Sequence, residues 1–260
     1  MHVTLQVVDG YFVHYFAPGS LPAVPKNVVF VIDVSGSMQG HKMTQTKQAM
    51  VAILDDLHSE DTFNILTFND HVTKWSTAGL VRVDETNIES AKQFVNSLEA
   101  DYCNNQDSNL NYSEVLIQRT YLFSLSATNI DSALVEALRE LQTPVDGLQE
   151  SRPGLVIFLT DGQPSAGETN LSKYRNITHD CLTGSGGFSC ILSLYFRIKQ
   201  NARDSNRGET ALFSLGFGDD VEFQFLTSLS LQNYGFSRKI YTNADAVLQL
   251  EVRLSYNMRI

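Results

Sequence analysis

The hydrophobic positions of this chain follow two patterns, short apolar runs and longer stretches with helical spacing. Apolar runs rich in β-branched and aromatic residues predict strands, and apolar residues three or four positions apart predict helices. Strands are predicted from residue 28 to a polar turn at 33, and at 62–68, 72–75, 80–83, 155–160, 210–217 and 239–241. Helices are predicted at 43–57, 88–98, 130–141, 192–202 and 223–230. This alternation predicts an α/β fold with a doubly wound, mostly parallel central sheet flanked by helices.

Both ends of the chain alternate like strands outside this pattern. Residues 5–16 lead into a stretch punctuated by prolines, and residues 248–254 alternate again. Strands as apolar as these need a sheet to join, so we expect them to pair with each other or with neighbouring chain. The predicted organisation is a β segment and linker at 1–25, one main domain at 26–245, and a second, truncated β segment at 246–260.

The strand that begins at Val28 runs into a turn with Asp33, Ser35 and Ser37 at alternate positions. A carboxylate and two hydroxyls at the carboxyl end of a strand suit a hard cation, because Mg²⁺ and Ca²⁺ take oxygen ligands almost exclusively. The alternative is that Asp33 or Ser35 caps the following helix by accepting backbone N–H bonds. These residues alone do not separate the two interpretations.

Two later residues favour the metal. Thr128 lies just before an amphipathic stretch, and Asp161 follows an apolar strand in a Thr-Asp-Gly sequence. In this order, Asp33, Ser35, Ser37, Thr128 and Asp161 form the pattern of a metal-ion-dependent adhesion site. Through that pattern the chain resembles the von Willebrand factor type A domain family. The resemblance implies that the hydroxyls bind Mg²⁺ directly, with Mn²⁺ or Ca²⁺ as other candidates. It also implies that one or both aspartates act through water, and that an acidic side chain of a protein partner fills an open coordination position.

Three longer stretches carry a closer resemblance. Residues 10–38, 159–169 and 214–226 are similar to the heavy chains of the inter-alpha-trypsin inhibitor family. This resemblance implies a secreted protein of plasma and extracellular matrix, in which the domain is part of a longer chain. It further implies association with hyaluronan and bikunin through parts of the parent protein outside this chain.

The composition of the chain and the residue types of the site pattern exclude several classes of function. The net charge of −10 argues against nucleic acid as a partner, because phosphates would be repelled. The sequence has no apolar run long enough to span a membrane. The site pattern supplies no base, nucleophile or leaving-group acid, so we expect an interaction module and no enzyme. Two other functions remain open: a structural domain whose metal only stabilises loops, and a Mg²⁺-dependent phosphoryl-transfer enzyme.

Cysteines and glycosylation sequons bear on the compartment. Cys181 and Cys190 are close enough in sequence to bridge a short loop. Sequons at Asn111, Asn170 and Asn176 favour a secreted protein. No signal peptide is recognisable in this sequence, so we expect a piece of a longer secreted chain.

Two segments are longer than the family pattern needs. Residues 101–124 and 176–190 carry all the cysteines and are predicted to be insertions. The first leads directly to Thr128 and could reshape the metal face.

Overall fold

The computed structural model describes residues 2–8, 11–17, 24–100, 128–143, 152–162, 187–206, 210–242 and 246–249. The strands are β1 (His2–Val8), β2 (Tyr11–Ala17), β3 (Asn27–Asp33), β4 (Thr62–Phe68), β5 (Val72–Lys74), β6 (Val81–Arg82), β7 (Gly154–Thr160), β8 (Thr210–Phe217) and β9 (Ser237–Ile240). The helices are α1 (His41–Asp55), α2 (Glu85–Ser97), α3 (Ile130–Gln142), α4 (Gly187–Asn206) and α5 (Phe223–Gln232), and a short 3-10 turn (Gly36–Met38) precedes α1.

Seven of the described strands form one mixed sheet in the order β5, β4, β3, β7, β8, β9, with β6 also paired to β4. The strands from β4 across to β9 are parallel, whereas the short β5 and β6 run antiparallel to β4. The predicted α/β fold, doubly wound and mostly parallel, is confirmed.

Both faces of this sheet are covered by helices, as parallel strands require. In β3, Val28, Phe30 and Ile32 belong to the apolar core on the face of α1 and α2. Val29 and Val31 belong to the core on the other face, with residues of α3, α4 and α5. A slip of one residue would exchange the two faces, so the register at the carboxyl end of β3 is strongly specified.

The winding of the sheet reverses between β3 and β7. The chain passes from β3 through α1 to β4 on one side, and it later returns to β7 on the other side of β3. Doubly wound sheets bind ligands beyond the strand ends at such a reversal, where the connecting loops diverge. Asp33 ends β3 and Asp161 follows β7, so both lie at this point.

The first two strands form a separate antiparallel sheet, in which Val8 pairs with Tyr11. The sequence predicts extended chain here, but the division into two paired strands was not predicted. The Asp-Gly pair between them is a common hairpin signal and could have indicated it.

Residues 246–249 are helical, where the sequence predicts the start of a β segment. Ala246 is fully buried in the core. The side chain of Gln249 accepts the N–H of Tyr241 at 3.0 Å and donates to its carbonyl at 3.1 Å. These contacts fold the segment back onto the end of β9, so the local strand prediction is wrong there. Residues 250–260 lie outside the described part of the chain.

Candidate metal centre

Asp33 is the last residue of β3, and its carboxylate is fully buried. Its Oδ1 accepts the N–H of Ser35 at 2.9 Å, and its Oδ2 accepts the hydroxyl of Thr160 at 2.6 Å. These bonds fix the carboxylate against its own turn and against β7. Neither the 3-10 turn after Ser35 nor α1 after Gly40 has a side-chain N-cap bond. The capping interpretation of this turn is therefore not what the structure shows.

The hydroxyls of Ser35 and Ser37 lie side by side, with their oxygens 3.1 Å apart. Ser35 is buried, whereas Ser37 is exposed. The pair therefore leads from the buried carboxylate of Asp33 to solvent, and Ser37 is the member of the pair that solvent can reach.

Asp161 directly follows β7 and is also fully buried. The residue before it, Thr160, links the two strands, because its hydroxyl donates to Asp33 and accepts the N–H of Gly162 at 2.9 Å. Gly162 has a φ of 74°, a left-handed conformation that favours glycine. Thr160 was not among the predicted site residues, because its role depends on the pairing of β3 with β7.

Thr128 reaches the same edge through its neighbours. It is 3% exposed, and the N–H of Asn129 donates to the carbonyl of Asn69 at 2.6 Å. Asn69 follows Phe68, the last residue of β4, whose carbonyl accepts the N–H of Val34 at 2.9 Å. The start of α3 is thus tied to the ends of β3 and β4.

The buried negative charge of Asp33 is unfavourable at this edge. Burial raises the pKa of Asp33 from 3.8 to about 7, and the negative charge of Asp161 acts in the same direction. Hydrogen bonds from Ser35 and Thr160 lower this pKa but are outweighed. A divalent cation would favour the ionised carboxylates by supplying opposite charge.

Lys42, in the first turn of α1, adds a positive charge that the sequence did not assign to the site. Its Nζ lies 3.2 Å from Oδ2 of Asp161 and 2.8 Å from Oδ1 of Asp220. Burial lowers the pKa of Lys42, but the hydrogen bond to Asp220 and the charge of Asp161 raise it above 10.5 overall. The hydrogen bond from Lys42 also lowers the pKa of Asp220. The ammonium group therefore stays charged at neutral pH.

The donor set fits a hard divalent cation. Every predicted ligand offers oxygen, and two of the side chains are carboxylates. Within the described ranges, no group of three or more His, Cys, Asp or Glu side chains could hold a metal. A cation at this edge would therefore draw on the serine and threonine hydroxyls as well as on the two carboxylates.

Several other predicted residues lie outside the described part of the chain. These are Asn111, Asn170, Asn176 and Cys181, together with all of 101–124 and most of 176–190. Cys190 lies near the start of α4, where only the backbone is described. Glycosylation, the disulfide and the insertions stay predictions.

Comparison with known families shows which family this chain belongs to. Residues 26–112 and 115–183 match the von Willebrand factor type A domain. The chain belongs to the von Willebrand factor type A domain family. The resemblance that the sequence motifs indicated is confirmed.

This von Willebrand factor type A domain is also similar to inter-alpha-trypsin inhibitor heavy chains. It is 40% identical to heavy chain H6 of Homo sapiens, over 95% of this chain and 16% of that protein. It is 35% identical to heavy chain H3 of Rattus norvegicus and 36% identical to heavy chain H4 of Homo sapiens, each over 95% of this chain and 22% of the relative. The chain therefore spans about a fifth of the length of these relatives.

Solved structures share the fold at low sequence identity. A von Willebrand factor type A protein from Catenulispora acidiphila has a TM-score of 0.58 at 20% identity, covering 88% of this chain and 41% of that one. Proximal thread matrix protein 1 from the mussel byssus, solved with a zinc-occupied metal-ion-dependent adhesion site, has a TM-score of 0.55 at 13% identity, covering 88% of this chain and 47% of that one. None of the helices described in our chain is long and apolar enough to cross a membrane.

Proposed function

We propose that this domain is an interaction module that depends on a divalent cation. Asp33, Ser35, Ser37, Thr128 and Asp161 would hold Mg²⁺, or Mn²⁺ or Ca²⁺, and an acidic side chain of a protein partner would complete the site. The observation that carries the proposal is the placement of two fully buried carboxylates at a sheet edge that also carries hydroxyls. Neighbouring buried carboxylates are unfavourable unless opposite charge compensates them.

The proposed ligands contribute to cation binding in two ways. The hydroxyls of Ser35, Ser37 and Thr128 supply neutral oxygens, and the two aspartates supply negative charge. When bound, the cation would supply a Lewis-acidic position for an outside carboxylate. The exposure of Ser37 supports access from solvent. The zinc-occupied adhesion site of the mussel protein supports a divalent cation at such a site on this fold.

We also propose that the chain is part of a longer, secreted, heavy-chain-like protein. Its relatives are inhibitor heavy chains of which it covers about a fifth, and this supports binding instead of catalysis. The domain would begin at 26 and include 246–249, because Ala246 is buried in its core, and it would follow a flanking segment at 1–25. Association with hyaluronan and bikunin would belong to other parts of that protein.

Calorimetric titration of Mg²⁺ and Mn²⁺ into EDTA-stripped protein tests the metal site. We expect Asp33→Asn to weaken binding by about tenfold or more, because one negative charge next to the cation is lost. The matched control is Asp56→Asn, which removes the same charge from an exposed position just after α1. That control should bind like the wild type, and an equal loss in both variants would contradict a local role for Asp33.

A second titration separates an open site from a purely structural one. The metal is titrated in the presence of a short peptide with one glutamate, or of the same peptide with glutamine instead. If the coordination position is open, the glutamate peptide should tighten metal binding and the glutamine peptide should not, because binding linkage is reciprocal. A metal affinity that neither peptide changes would favour the structural alternative. Absence of metal binding would refute the site.

A further inference from the structure

Lys42 places a positive charge of the chain itself at the proposed metal site. Its ammonium group bridges Asp161 and Asp220, at 3.2 Å from the first carboxylate and at 2.8 and 2.9 Å from the two oxygens of the second. The lysine side chain is 14% exposed, the carboxylate of Asp161 is buried, and that of Asp220 is 58% exposed. The ammonium thus lies between a predicted metal ligand and a carboxylate that faces solvent.

The fold makes specific room for this lysine. Lys42 is in the first turn of α1, where the helix dipole disfavours a positive charge, so the two carboxylates must outweigh that effect. Gly218, after β8, has a φ of 94°, and a Cβ there would lie 2.5 Å from Cε of Lys42. The left-handed backbone conformation favours glycine at this position, and any side chain there would have to share space with the end of Lys42.

We propose that Lys42 is an internal counter-cation of the metal site, which competes with the divalent cation for Asp161 and is retained by Asp220 when that cation binds. This inference rests on the proposed metal site. A lysine ammonium and a divalent cation at the same carboxylate repel each other strongly where water is excluded. Asp220 already contacts the ammonium, so Lys42 can give up Asp161 and keep an ion pair.

The competition has two opposite consequences. With no divalent cation bound, Lys42 compensates the buried charge of Asp161 and stabilises the folded domain. With the cation bound, the same lysine opposes it and lowers the affinity of the site. A residue that only supported the local structure would not produce this opposition, because its loss would weaken both folding and binding.

The first test compares Lys42→Met with Lys47→Met. Both variants remove one positive charge from α1, but Lys47 donates to the carbonyl of Asn96, away from the metal edge. For Lys42→Met we expect Mn²⁺ to bind about tenfold more tightly in calorimetry, because a nearby like charge is removed. We also expect its thermal unfolding midpoint in EDTA to fall, because Asp161 loses an ion pair. Lys47→Met should keep the wild-type affinity for Mn²⁺.

The second test uses Asp220→Asn, an exposed change that leaves the core intact. Lys42 would then depend more on Asp161, so Mn²⁺ binding should weaken several-fold. In the double variant with Lys42→Met, removal of the Asp220 carboxylate should have little further effect. If the effects of the two substitutions simply add, Asp220 does not act through Lys42. The proposal that Asp220 retains Lys42 when the cation binds is then refuted.

The outcomes separate this inference from the metal site itself. If the wild type binds Mn²⁺ and Lys42→Met binds it no more tightly, the competition is refuted and the metal site stands. If only Lys42→Met binds Mn²⁺, the competition is supported and the proposed function of the wild-type domain is contradicted. If neither protein binds Mn²⁺, both proposals fail.

Discussion

Replacing Asp33 by asparagine should stabilise the EDTA-stripped domain while it weakens metal binding by about tenfold or more. The side chain is fully buried beside Asp161, and its pKa is raised from 3.8 to about 7. Asparagine has the same shape and can still accept the N–H of Ser35, but it carries no charge. The substitution therefore removes a repulsion that only a cation would relieve.

The magnitude follows from the pKa. In the unfolded chain Asp33 ionises near pH 3.8, whereas in the folded domain its pKa is about 7. The folded state therefore loses stability as the pH rises from 3.8 to 7, and the loss is complete above about pH 7. A pKa difference of about three units corresponds to about 4 kcal/mol in the free energy of unfolding. Losing the hydrogen bond that Thr160 donates offsets about 1 kcal/mol of this. We therefore expect Asp33→Asn to be about 3 kcal/mol more stable than the wild type at pH 8. At about pH 4 the variant should be no more stable than the wild type.

The assay is urea unfolding in EDTA at pH 4 and pH 8, followed by circular dichroism, for wild type, Asp33→Asn and the control Asp56→Asn. For a chain of this length, 3 kcal/mol also corresponds to a rise of about 6 to 12 °C in thermal midpoint. Added Mg²⁺ should stabilise the wild type more than it stabilises Asp33→Asn. The reasoning is refuted if Asp33→Asn is less stable than wild type at pH 8, because the buried charge would then be compensated within the fold.

Three further predictions concern the same edge of the sheet and the opposite one. Metal affinity of the wild type should fall as the pH falls through about 7, with release of the Asp33 proton on binding. Calorimetry at pH 6.5 in two buffers of different ionisation heat measures this, and no proton release would contradict it. Thr160→Val removes a hydrogen bond that lowers the pKa of Asp33, so the midpoint of this pH dependence should move upwards. An unchanged midpoint would mean that Thr160 does not tune the site. Asp61→Asn should cost about 3 kcal/mol in urea unfolding, because the buried carboxylate binds the backbone and ammonium of Lys26 and the N–H of His58. Its Mn²⁺ affinity should stay unchanged, because these contacts lie at the amino ends of β3 and β4.

The elements with the strongest local signals were predicted well. The predicted strands 62–68 and 210–217 have the bounds of β4 and β8, because apolar β-branched and aromatic runs are buried on both faces and end at polar turns. Helix bounds were less well predicted, and α4 extends from 187 to 206 around the predicted 192–202. The terminal prediction failed at 246–249, because burial of Ala246 depends on the rest of the core.

The sequence by itself determined the order of the fold and most of the candidate ligands. Asp33, Ser35 and Ser37 follow one strand and Asp161 follows another, and the carboxyl ends of parallel strands meet at one edge whatever the details of packing. A local pattern is enough for such residues, because strand period and chain order already place them together.

Only the tertiary structure decided which groups meet at that edge and how their charges interact. Thr160 contacts Asp33 across 127 positions, and Lys42 contacts Asp161 and Asp220 across 119 and 178. These contacts exist because β3 pairs with β7 and because α1 packs in the same core as β8. The raised pKa of Asp33 likewise comes from burial and from the charge of Asp161, which is far away in sequence. Neither cause can be read from the residues next to Asp33 in the chain.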